Sequence, residues 1–283
     1  MFSSPSRKVR VALLGLCMAL LLASAGAHAA PVGFSFGVVP QFEPRKLANI
    51  WLPILRRLEA RTGFAFHLDG AARIPEFEQD FMRGDFDFAY MNPYHALLAI
   101  RANQYKPLAR DYARQLYGVL VVKKGSPITE LSQLQGKRLA FPSPNALGAS
   151  LLMRTELIRE HGLDFKPIYV KTHSSVYLHV LLGRADAGGG VMSTLQRQKP
   201  QVRDNLRVLY RTRSVNPHPI MAHNRISEPV RQAVQRALLA MGEDEKDRKL
   251  LSRAPILQIG PATLSDYAPL GDWGLESFYE RPF

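Results

Sequence analysis

The chain has almost no cysteine. Its 283 residues contain a single one, Cys17, inside an apolar segment near the N-terminus. An intrachain disulfide needs two cysteines, and a thiolate metal site or a cysteine nucleophile needs one in the folded part of the chain. Once the N-terminal segment is removed, these three kinds of chemistry are excluded.

The chain also lacks the short motifs of common catalytic and metal sites. It contains no His-Glu-x-x-His or Cys-x-x-Cys pattern, no phosphate-binding P-loop and no Gly-x-Ser-x-Gly elbow, since the match Gly33-Phe-Ser-Phe-Gly37 lies within the predicted strand 32–39 and not at a strand-to-helix turn. His95, His161 and His179 have no partner at the spacing of metal ligands. The sequence therefore predicts no metal, no cofactor and no catalytic residues.

The N-terminus has the pattern of a cleavable export signal. A basic cluster precedes the apolar run Val11–Ala25, and Ala27-His28-Ala29 is an Ala-x-Ala cleavage site. The apolar run is too short for a membrane span. The residue before Cys17 is not small, which argues against a lipid anchor, and a twin-arginine pair is missing. We predict that residues 1–29 are a Sec-type signal peptide and that the mature protein is periplasmic.

Acidic residues are outnumbered by basic ones. The chain has 24 Asp and Glu against 37 Lys and Arg, a formal net charge of +13. A basic surface attracts nucleic acid, anionic membranes or small anions. The charge is spread along the chain and the protein is exported, so we expect no nucleic acid partner and a mild attraction of small anions.

Strands and helices alternate along the mature chain. Hydrophobic periodicity predicts strands at 32–39, 64–68, 86–90, 117–123, 139–141, 167–170 and 206–210, and a strand or turn at 185–190. It predicts helices at 47–62, 74–83, 94–103, 145–160, 176–182, 191–197 and 229–241. This order indicates an α/β fold with parallel sheets that carry helices on both faces.

The alternation starts again near Tyr117, which indicates two lobes. We assign residues 31–116 and 220–283 to lobe one and residues 117–219 to lobe two. The chain crosses between them near Tyr117 and near Pro217, so these crossings are the expected hinge. Open α/β sheets bind ligands at the carboxyl ends of their strands, which places a ligand in a cleft that closes between the lobes.

The most informative segment is Gly136–Arg154. It is typical of a buried strand at Leu139–Phe141, a turn rich in Pro, Ser and Asn, and a helix that begins near Asn145. Such a turn directs free backbone N–H groups and the positive end of the helix dipole to one point. That arrangement predicts an anion site.

Six stretches of the chain carry a resemblance to a known family. They are Gly37-Val-Val-Pro-Gln-Phe-Glu-Pro44, Trp51-Leu-Pro-Ile-Leu55, Arg83-Gly-Asp-Phe-Asp-Phe-Ala-Tyr90, Leu131-Ser-Gln-Leu-Gln-Gly-Lys137, Thr172-His-Ser-Ser175 and Leu182-Gly-Arg-Ala-Asp-Ala-Gly188. In this order the chain resembles the substrate-binding proteins of phosphate, phosphite and phosphonate ABC importers. The resemblance implies the two-lobed, type II-like fold of periplasmic binding proteins.

The resemblance also implies the ligand-binding residues. Those of the helix start are Ser143, Asn145, Ala146, Leu147 and Gly148, the turn contributes His173, and the first lobe contributes Gln41, Phe42, Tyr90 and Asn92. We add Ser174 and Ser175 of the same turn as substitute hydroxyl donors. The family's helix start usually carries Ser and Thr before its Gly, whereas this chain has Asn-Ala-Leu-Gly. Hydroxyl donors are lost there, but the backbone donors and the dipole remain, and Asn145 is expected to cap the helix.

Some of these residues have structural alternatives. Tyr90 suits the core, Asn92 suits the turn before a proline, and Phe42 suits a hydrophobic staple for the following helix. Ser174 and Ser175 suit the start of the next helix. The sequence leaves both interpretations open for each residue.

We predict a periplasmic binding protein, a monomer, that captures a small oxyanion of the phosphate type. Its partner is an ABC permease in the inner membrane. One alternative keeps the binding module but docks it on the ectodomain of a sensor kinase. Another is an exported hydrolase that uses Ser174 or Ser175 with His173, although neighbours in one turn rarely form a nucleophile–base pair and no orienting carboxylate is evident.

Overall fold

The computed structural model describes residues 32–281. The predicted signal peptide at residues 1–29 lies outside the described residues. Within the described part of the chain, no helix is both long enough and apolar enough to cross a membrane.

Strands and helices alternate as the sequence predicts. The strands are β1 (Gly33–Val38), β2 (Ala65–Gly70), β3 (Phe88–Tyr90), β4 (Lys106–Asp111), β5 (Gly118–Lys123), β6 (Arg138–Phe141), β7 (Lys166–Tyr169), β8 (Ala187–Val191), β9 (Leu206–Arg211), β10 (Ile220–Ala222) and β11 (Ile259–Pro261). The α-helices are α1 (Pro44–Thr62), α2 (Ile74–Arg83), α3 (Pro93–Asn103), α4 (Leu152–Arg159), α5 (His173–Leu181), α6 (Met192–Gln196), α7 (Pro200–Arg203), α8 (Glu228–Met241) and α9 (Glu245–Leu251). Short 3₁₀ turns occur at Leu131–Leu134, Leu264–Asp266, Ala268–Asp272 and Leu275–Ser277.

The strands form two mixed sheets. The order is β11-β4-β10-β3-β1-β2 in the first sheet and β7-β6-β8-β5-β9 in the second. The expectation of parallel sheets is wrong in part: β1 is parallel to β2 and β3, but β10 runs antiparallel to β3 and β4. In the second sheet β6 is parallel to β7 and β8, whereas β5 is antiparallel to β8 and β9. β5 and β10 are the two strands that the chain enters from the other sheet.

Each sheet has its own core. On the first sheet, α1 buries the stripe Leu47, Trp51, Ile54, Leu55 and Leu58, which matches the predicted amphipathic face. Leu120, Leu139, Phe141 and Met153 lie in the core on one face of the second sheet. From Gly33 onward the chain forms one compact unit. The division into two separate lobes at the assigned boundaries stays a prediction.

Strands β4, β10 and β11 are not predicted by the sequence pattern. β4 contains a proline and three charged residues, so its alternation is interrupted. β10 and β11 are only three residues long. Their strand conformation comes from pairing with neighbours far along the chain, as in the contact of Ile259 with Asp111.

Candidate oxyanion site

Six of the twelve predicted site residues meet in one small crevice between elements of the two sheets. They are Gln41, Asn92, Ala146, Leu147, Gly148 and His173. The remaining lining residues are Val39, Ile74, Leu116, Ala149, Val191 and His218. The free volume is about 20 Å³, close to what one water molecule needs. The crevice is therefore tightly closed around the predicted anion-binding turn.

Backbone N–H groups at the start of the helix are available to a ligand. The helix opens with a wide π-turn at Leu147–Leu151 before it continues as α4. The first two backbone hydrogen bonds run from Ser150 N and Leu151 N to Ala146 O, at 2.7 and 3.1 Å. Within residues 32–281, the N–H groups of Leu147, Gly148 and Ala149 have no hydrogen-bond acceptor. Three neighbouring donors therefore line the crevice at the positive end of the helix dipole.

His173 lines the same crevice as the first residue of α5. Its side chain is almost completely buried, and Nδ1 lies 3.3 Å from Thr194 Oγ1. Burial lowers the pKa of His173 to about 4. The imidazole is therefore neutral at physiological pH, and it contributes a hydrogen bond to the crevice instead of a positive charge.

Asn92 connects the two sides of the crevice. Its Oδ1 accepts a hydrogen bond from His95 N at 2.8 Å and so caps α3, as the turn alternative predicts. Its Nδ2 donates to Asn145 O at 3.3 Å. The residue thus positions the anion-binding turn against the first sheet.

Tyr90 is a core residue that packs against His218 of the crevice lining. Its ring packs on Trp51 with centroids 4.7 Å apart and on His218 with centroids 5.2 Å apart. Burial raises the pKa of its hydroxyl, which therefore stays protonated. Phe42 is buried under the Lys46 ammonium group and does not line the crevice, and its staple alternative stays a prediction.

The structure gives Asn145 a role that differs from the expected helix cap. The residue before the helix is Ala146, which has no side-chain cap. The Asn145 amide instead bonds Glu78 Oε2 at 3.0 Å and both backbone groups of Glu280. The capping expectation is wrong because the side chain is turned towards the C-terminal segment.

The predicted serines differ in their surroundings. Ser143 is buried beside the turn, and within the described residues its Oγ has no hydrogen-bond partner. Ser175 lies in the first turn of α5, where its N–H donates to the capping hydroxyl of Thr172 at 3.1 Å. Ser174 Oγ accepts from Gln198 Nε2 at 3.4 Å. Of these three serines, Ser143 is the one with an unpaired hydroxyl beside the turn. Ser174 and Ser175 do not line the crevice.

His218 is a site residue that sequence reasoning interpreted as part of the hinge. Its Nε2 lies 3.1 Å from Gln41 Nε2. Since an amide N–H only donates, His218 accepts at Nε2 and carries its proton on Nδ1. Burial, with smaller contributions from His95 and His173, lowers the pKa of His218 to about 3. Its position between two prolines at a predicted crossing was the only available signal.

A second and larger cavity adjoins the crevice. Its volume is about 240 Å³, and it shares Gln41, Leu116 and His218 with the crevice. Its other lining residues are Tyr90, Asp111, Arg114, Gln115, Tyr117, Met192, Ser193, Gln196, Pro217 and Pro255. The narrow, donor-rich crevice and the wide, polar cavity thus lie side by side, with the three shared residues between them.

Residues 36–267 match the family described as ABC transporter, phosphonate, periplasmic substrate-binding protein. A phosphonates-binding periplasmic protein of Escherichia coli (strain K12) is 23% identical over 250 residues, which cover 83% of this chain and 74% of that protein. Two solved structures have similar folds at 17% identity. PhnD1 of Prochlorococcus marinus (MIT 9301), in complex with methylphosphonate, has a TM-score of 0.79 and covers 87% of this chain and 98% of its own. A binding protein component of an ABC phosphonate transporter from Pseudomonas aeruginosa has a TM-score of 0.78, with 88% and 86% covered.

These likenesses confirm the predicted α/β fold of periplasmic binding proteins and the family predicted from the six sequence stretches. The family match begins in β1 and extends through the second sheet to the turn after β11. The chain therefore belongs to the family of periplasmic substrate-binding proteins of phosphonate ABC transporters.

Proposed function

We propose that this protein captures a phosphorus oxyanion in the crevice and delivers it to an ABC permease of the inner membrane. The observation that carries the proposal is the row of free N–H groups at Leu147, Gly148 and Ala149. Together with the helix dipole, these donors favour a compact anion with several acceptor oxygens. A phosphate, phosphite or phosphonate head has these acceptors, and because the crevice holds only about 20 Å³, its two sides must separate slightly to admit one.

The other donors at the crevice are neutral. His173 is uncharged, and the Asn92 and Gln41 side chains are neutral amides. Recognition then depends on the positions of hydrogen-bond donors, because no cationic side chain lines the crevice within the described residues. Such a site holds an oxyanion by direct hydrogen bonds while the general basic charge of the protein assists its approach.

Ligand binding is expected to stabilise the closed arrangement. The donors at the helix start belong to elements of the second sheet, whereas Gln41 and Asn92 follow strands of the first. Direct contacts already join the two sides, including Thr172 Oγ1 with Glu43 Oε1 at 3.3 Å and Arg197 Nη2 with Ser252 O at 2.5 Å. A ligand that bonds both sides shifts the population towards the closed state, which is the form that we propose the permease recognises.

Family membership supports transport over the two alternatives. A binding component presents its ligand to a permease. Nothing in the described residues favours docking on a sensor kinase or hydrolysis of the ligand. We propose that the exported protein acts as a periplasmic monomer after removal of residues 1–29.

The test is isothermal titration of the mature protein with phosphate, phosphite, methylphosphonate and sulfate. We expect saturable binding of at least one phosphorus oxyanion. His173→Ala should weaken it about tenfold or more, because a buried donor to a charged group is lost. The matched control is His67→Ala, since His67 is exposed on β2 away from the crevice. Absence of binding to every phosphorus oxyanion would overturn the proposal.

A further inference from the structure

The larger cavity carries an inference about the rest of the ligand. Building on the proposed oxyanion site, we propose that the ligand joins its phosphoryl head to a small, uncharged, hydroxylated group that occupies this cavity. A glyceryl group is the simplest example. The inference concerns the chemistry of the tail and rests on the cavity's size, its charges and the unpaired oxygen of Asp111.

The size of the cavity exceeds what a bare oxyanion requires. The crevice at the helix start has about 20 Å³ of free volume, whereas the adjoining cavity has about 240 Å³. The cavity, at 240 Å³ against 20 Å³, is thus about twelve times as large as the crevice. A methyl group on the phosphorus atom would leave most of the cavity to solvent. A tail of three or four carbons with its hydroxyls matches the space.

Asp111 supplies a buried acceptor in the larger cavity. It is the last residue of β4 and is 2% exposed. Its Oδ1 accepts from Ala113 N, Leu257 N and Gln258 N at 3.2, 3.0 and 2.8 Å. Its Oδ2 is buried, and within residues 32–281 it has no hydrogen-bond partner. A buried carboxylate oxygen without a donor is costly, so a ligand that donates to it is favoured.

Arg114 balances the charge of Asp111 in the same cavity. Its Nε lies 3.7 Å from Asp111 Oδ2, and its Nη2 donates to Pro255 O at 3.2 Å. Arg114 is half-buried beside the carboxylate and lines the cavity. These are the two charged residues among those that line the cavity, and their formal charges cancel.

This pairing selects against charged tails. An ammonium group placed on Asp111 would lie next to the Arg114 cation, and a carboxylate placed on Arg114 would lie next to Asp111. A hydroxyl avoids both repulsions, since it donates to one partner and accepts from the other. The remaining polar lining groups, Gln41, Gln115, Gln196 and Ser193, are neutral and offer both donors and acceptors.

One wall of the cavity suits a carbon skeleton. The rings of Tyr90 and His218 stack at an angle of 21° with centroids 5.2 Å apart, and Met192 and Pro217 lie among the other lining residues. An apolar wall combined with a few placed polar groups is the usual composition of a small-molecule site. A short polyol presents C–H groups to such a wall and hydroxyls to the polar side.

The experiment titrates the mature protein with five ligands that share a phosphoryl head. They are sn-glycerol 3-phosphate, 3,4-dihydroxybutylphosphonate, methylphosphonate, 2-aminoethylphosphonate and phosphonoacetate. We expect the dihydroxy ligands to bind about tenfold or more tightly than methylphosphonate, through hydrogen bonds to charged partners. Comparison of the first two separates a phosphate ester from a phosphonate source of the same chemistry.

Two variants locate the tail. Arg114→Gln removes a donor, and Ser193→Leu fills the cavity. Each should reduce the affinity for the dihydroxy ligands by a larger factor than the affinity for methylphosphonate. The matched controls are Arg184→Gln and Gln201→Leu, which make the same kinds of change at exposed positions outside the cavity. Equal losses for both classes of ligand would contradict the assignment.

The outcomes separate this inference from the proposed function. The neutral tail would be overturned if 2-aminoethylphosphonate or phosphonoacetate bound more tightly than the dihydroxy ligands. It would also be overturned if methylphosphonate bound as tightly as they do. In each of these cases the proposed oxyanion site would stand. Failure of all five ligands, together with phosphate and phosphite, would overturn both proposals.

Discussion

The side chain of Asn145 and the backbone of Glu280 form a two-way hydrogen-bonded pair. Asn145 Nδ2 donates to Glu280 O at 2.6 Å, and Glu280 N donates to Asn145 Oδ1 at 3.0 Å. Arg154 Nη2 reinforces the contact by donating to Phe278 O at 2.9 Å. The C-terminal segment, which packs on the core of the first sheet, is thereby tied to the turn that carries the oxyanion donors.

The first prediction concerns this pair. Asn145→Ala removes both bonds to Glu280 and the bond to Glu78 Oε2, and it leaves buried polar groups without partners. We expect the free energy of unfolding to fall by about 1–3 kcal/mol, measured by urea unfolding. Asn49→Ala on the exposed face of α1 is the matched control. A loss no larger than that of the control would contradict the role of the pair.

The second prediction tests the close approach of β5 to the helix start. A Cβ atom on Gly118 would lie 1.9 Å from Gly148 O, so Gly118→Ala must displace the anion-binding turn. We expect a loss of about 1–3 kcal/mol in the free energy of unfolding and weaker oxyanion binding. Gly70→Ala is the control, because nothing lies within 4 Å of its added Cβ. If both variants bind ligand equally well, the contact does not position the turn.

The third prediction concerns the hydroxyl that orients His173. Thr194 Oγ1 contacts His173 Nδ1 at 3.3 Å, Tyr177 Oη at 2.7 Å and Val191 O at 2.9 Å. When Tyr177 Oη donates to Thr194 Oγ1, Thr194 keeps its own proton for His173 Nδ1, which places the proton of His173 on Nε2. Thr194 thus acts as a positioning residue for an Nε2–H donor.

Thr194→Val is expected to weaken oxyanion binding about five- to tenfold and to change the tautomer ratio of His173. Calorimetry measures the affinity, and the ¹⁵N chemical shifts of the imidazole measure the tautomer. Thr155→Val is the matched control, since it removes a buried hydroxyl whose bond goes to Leu151 O. An unchanged tautomer ratio in Thr194→Val would show that Thr194 does not orient the His173 imidazole.

The fourth prediction is a loss of stability in acid. Burial lowers the pKa of His173 to about 4, and burial with nearby histidines lowers that of His218 to about 3, against an ordinary value near 6.5. Below about pH 6.5 the unfolded chain binds protons that the folded chain does not. The free energy of unfolding should therefore fall as the pH decreases from about 6.5 to 4, by up to about 1.4 kcal/mol per pH unit for each histidine.

Urea unfolding in phosphate-free buffers between pH 7.5 and 4.5 measures this dependence. His173→Gln should flatten the slope by about one proton, or about 1.4 kcal/mol per pH unit, between pH 5 and 6. The exposed His67→Gln is expected to keep the wild-type slope. A parallel dependence in wild type and His173→Gln would show that His173 is protonated in the folded state.

Local sequence patterns were sufficient for most elements of the fold. The helices predicted at 47–62 and 74–83 are α1 and α2, and the structure confirms where both of them end. The strand-or-turn segment at 185–190 is strand β8, where glycine is required by packing. A Cβ on Gly190 would lie 2.1 Å from Tyr177 Oη, a contact between residues of separate elements. A pattern within a few residues does not contain that information.

The sequence predicted the hydrogen-bond donors of the oxyanion crevice, but it did not predict the residues of the adjoining cavity. The turn before α4 and His173 were selected from sequence, and the structure brings them into one crevice. Ser174 and Ser175 were predicted as site residues, but they bond to other partners. His218, Asp111 and Arg114 line the larger cavity and were not predicted as site residues. Asp111 and Arg114 belong to the end of β4 and the following loop, where no local motif marks a binding residue.

The sequence by itself determined the export signal pattern, the order of strands and helices, the family and the turn that directs backbone donors to one point. These depend on residues that are neighbours in the chain, so periodicity and short motifs report them. Only the tertiary structure decided the mixed direction of the sheets, the clamp between Asn145 and Glu280, and the neutral state of the two buried histidines. It also decided the pairing of opposite charges in the larger cavity. Those features arise from desolvation and from contacts between residues distant in sequence, and both exist only once the chain is packed.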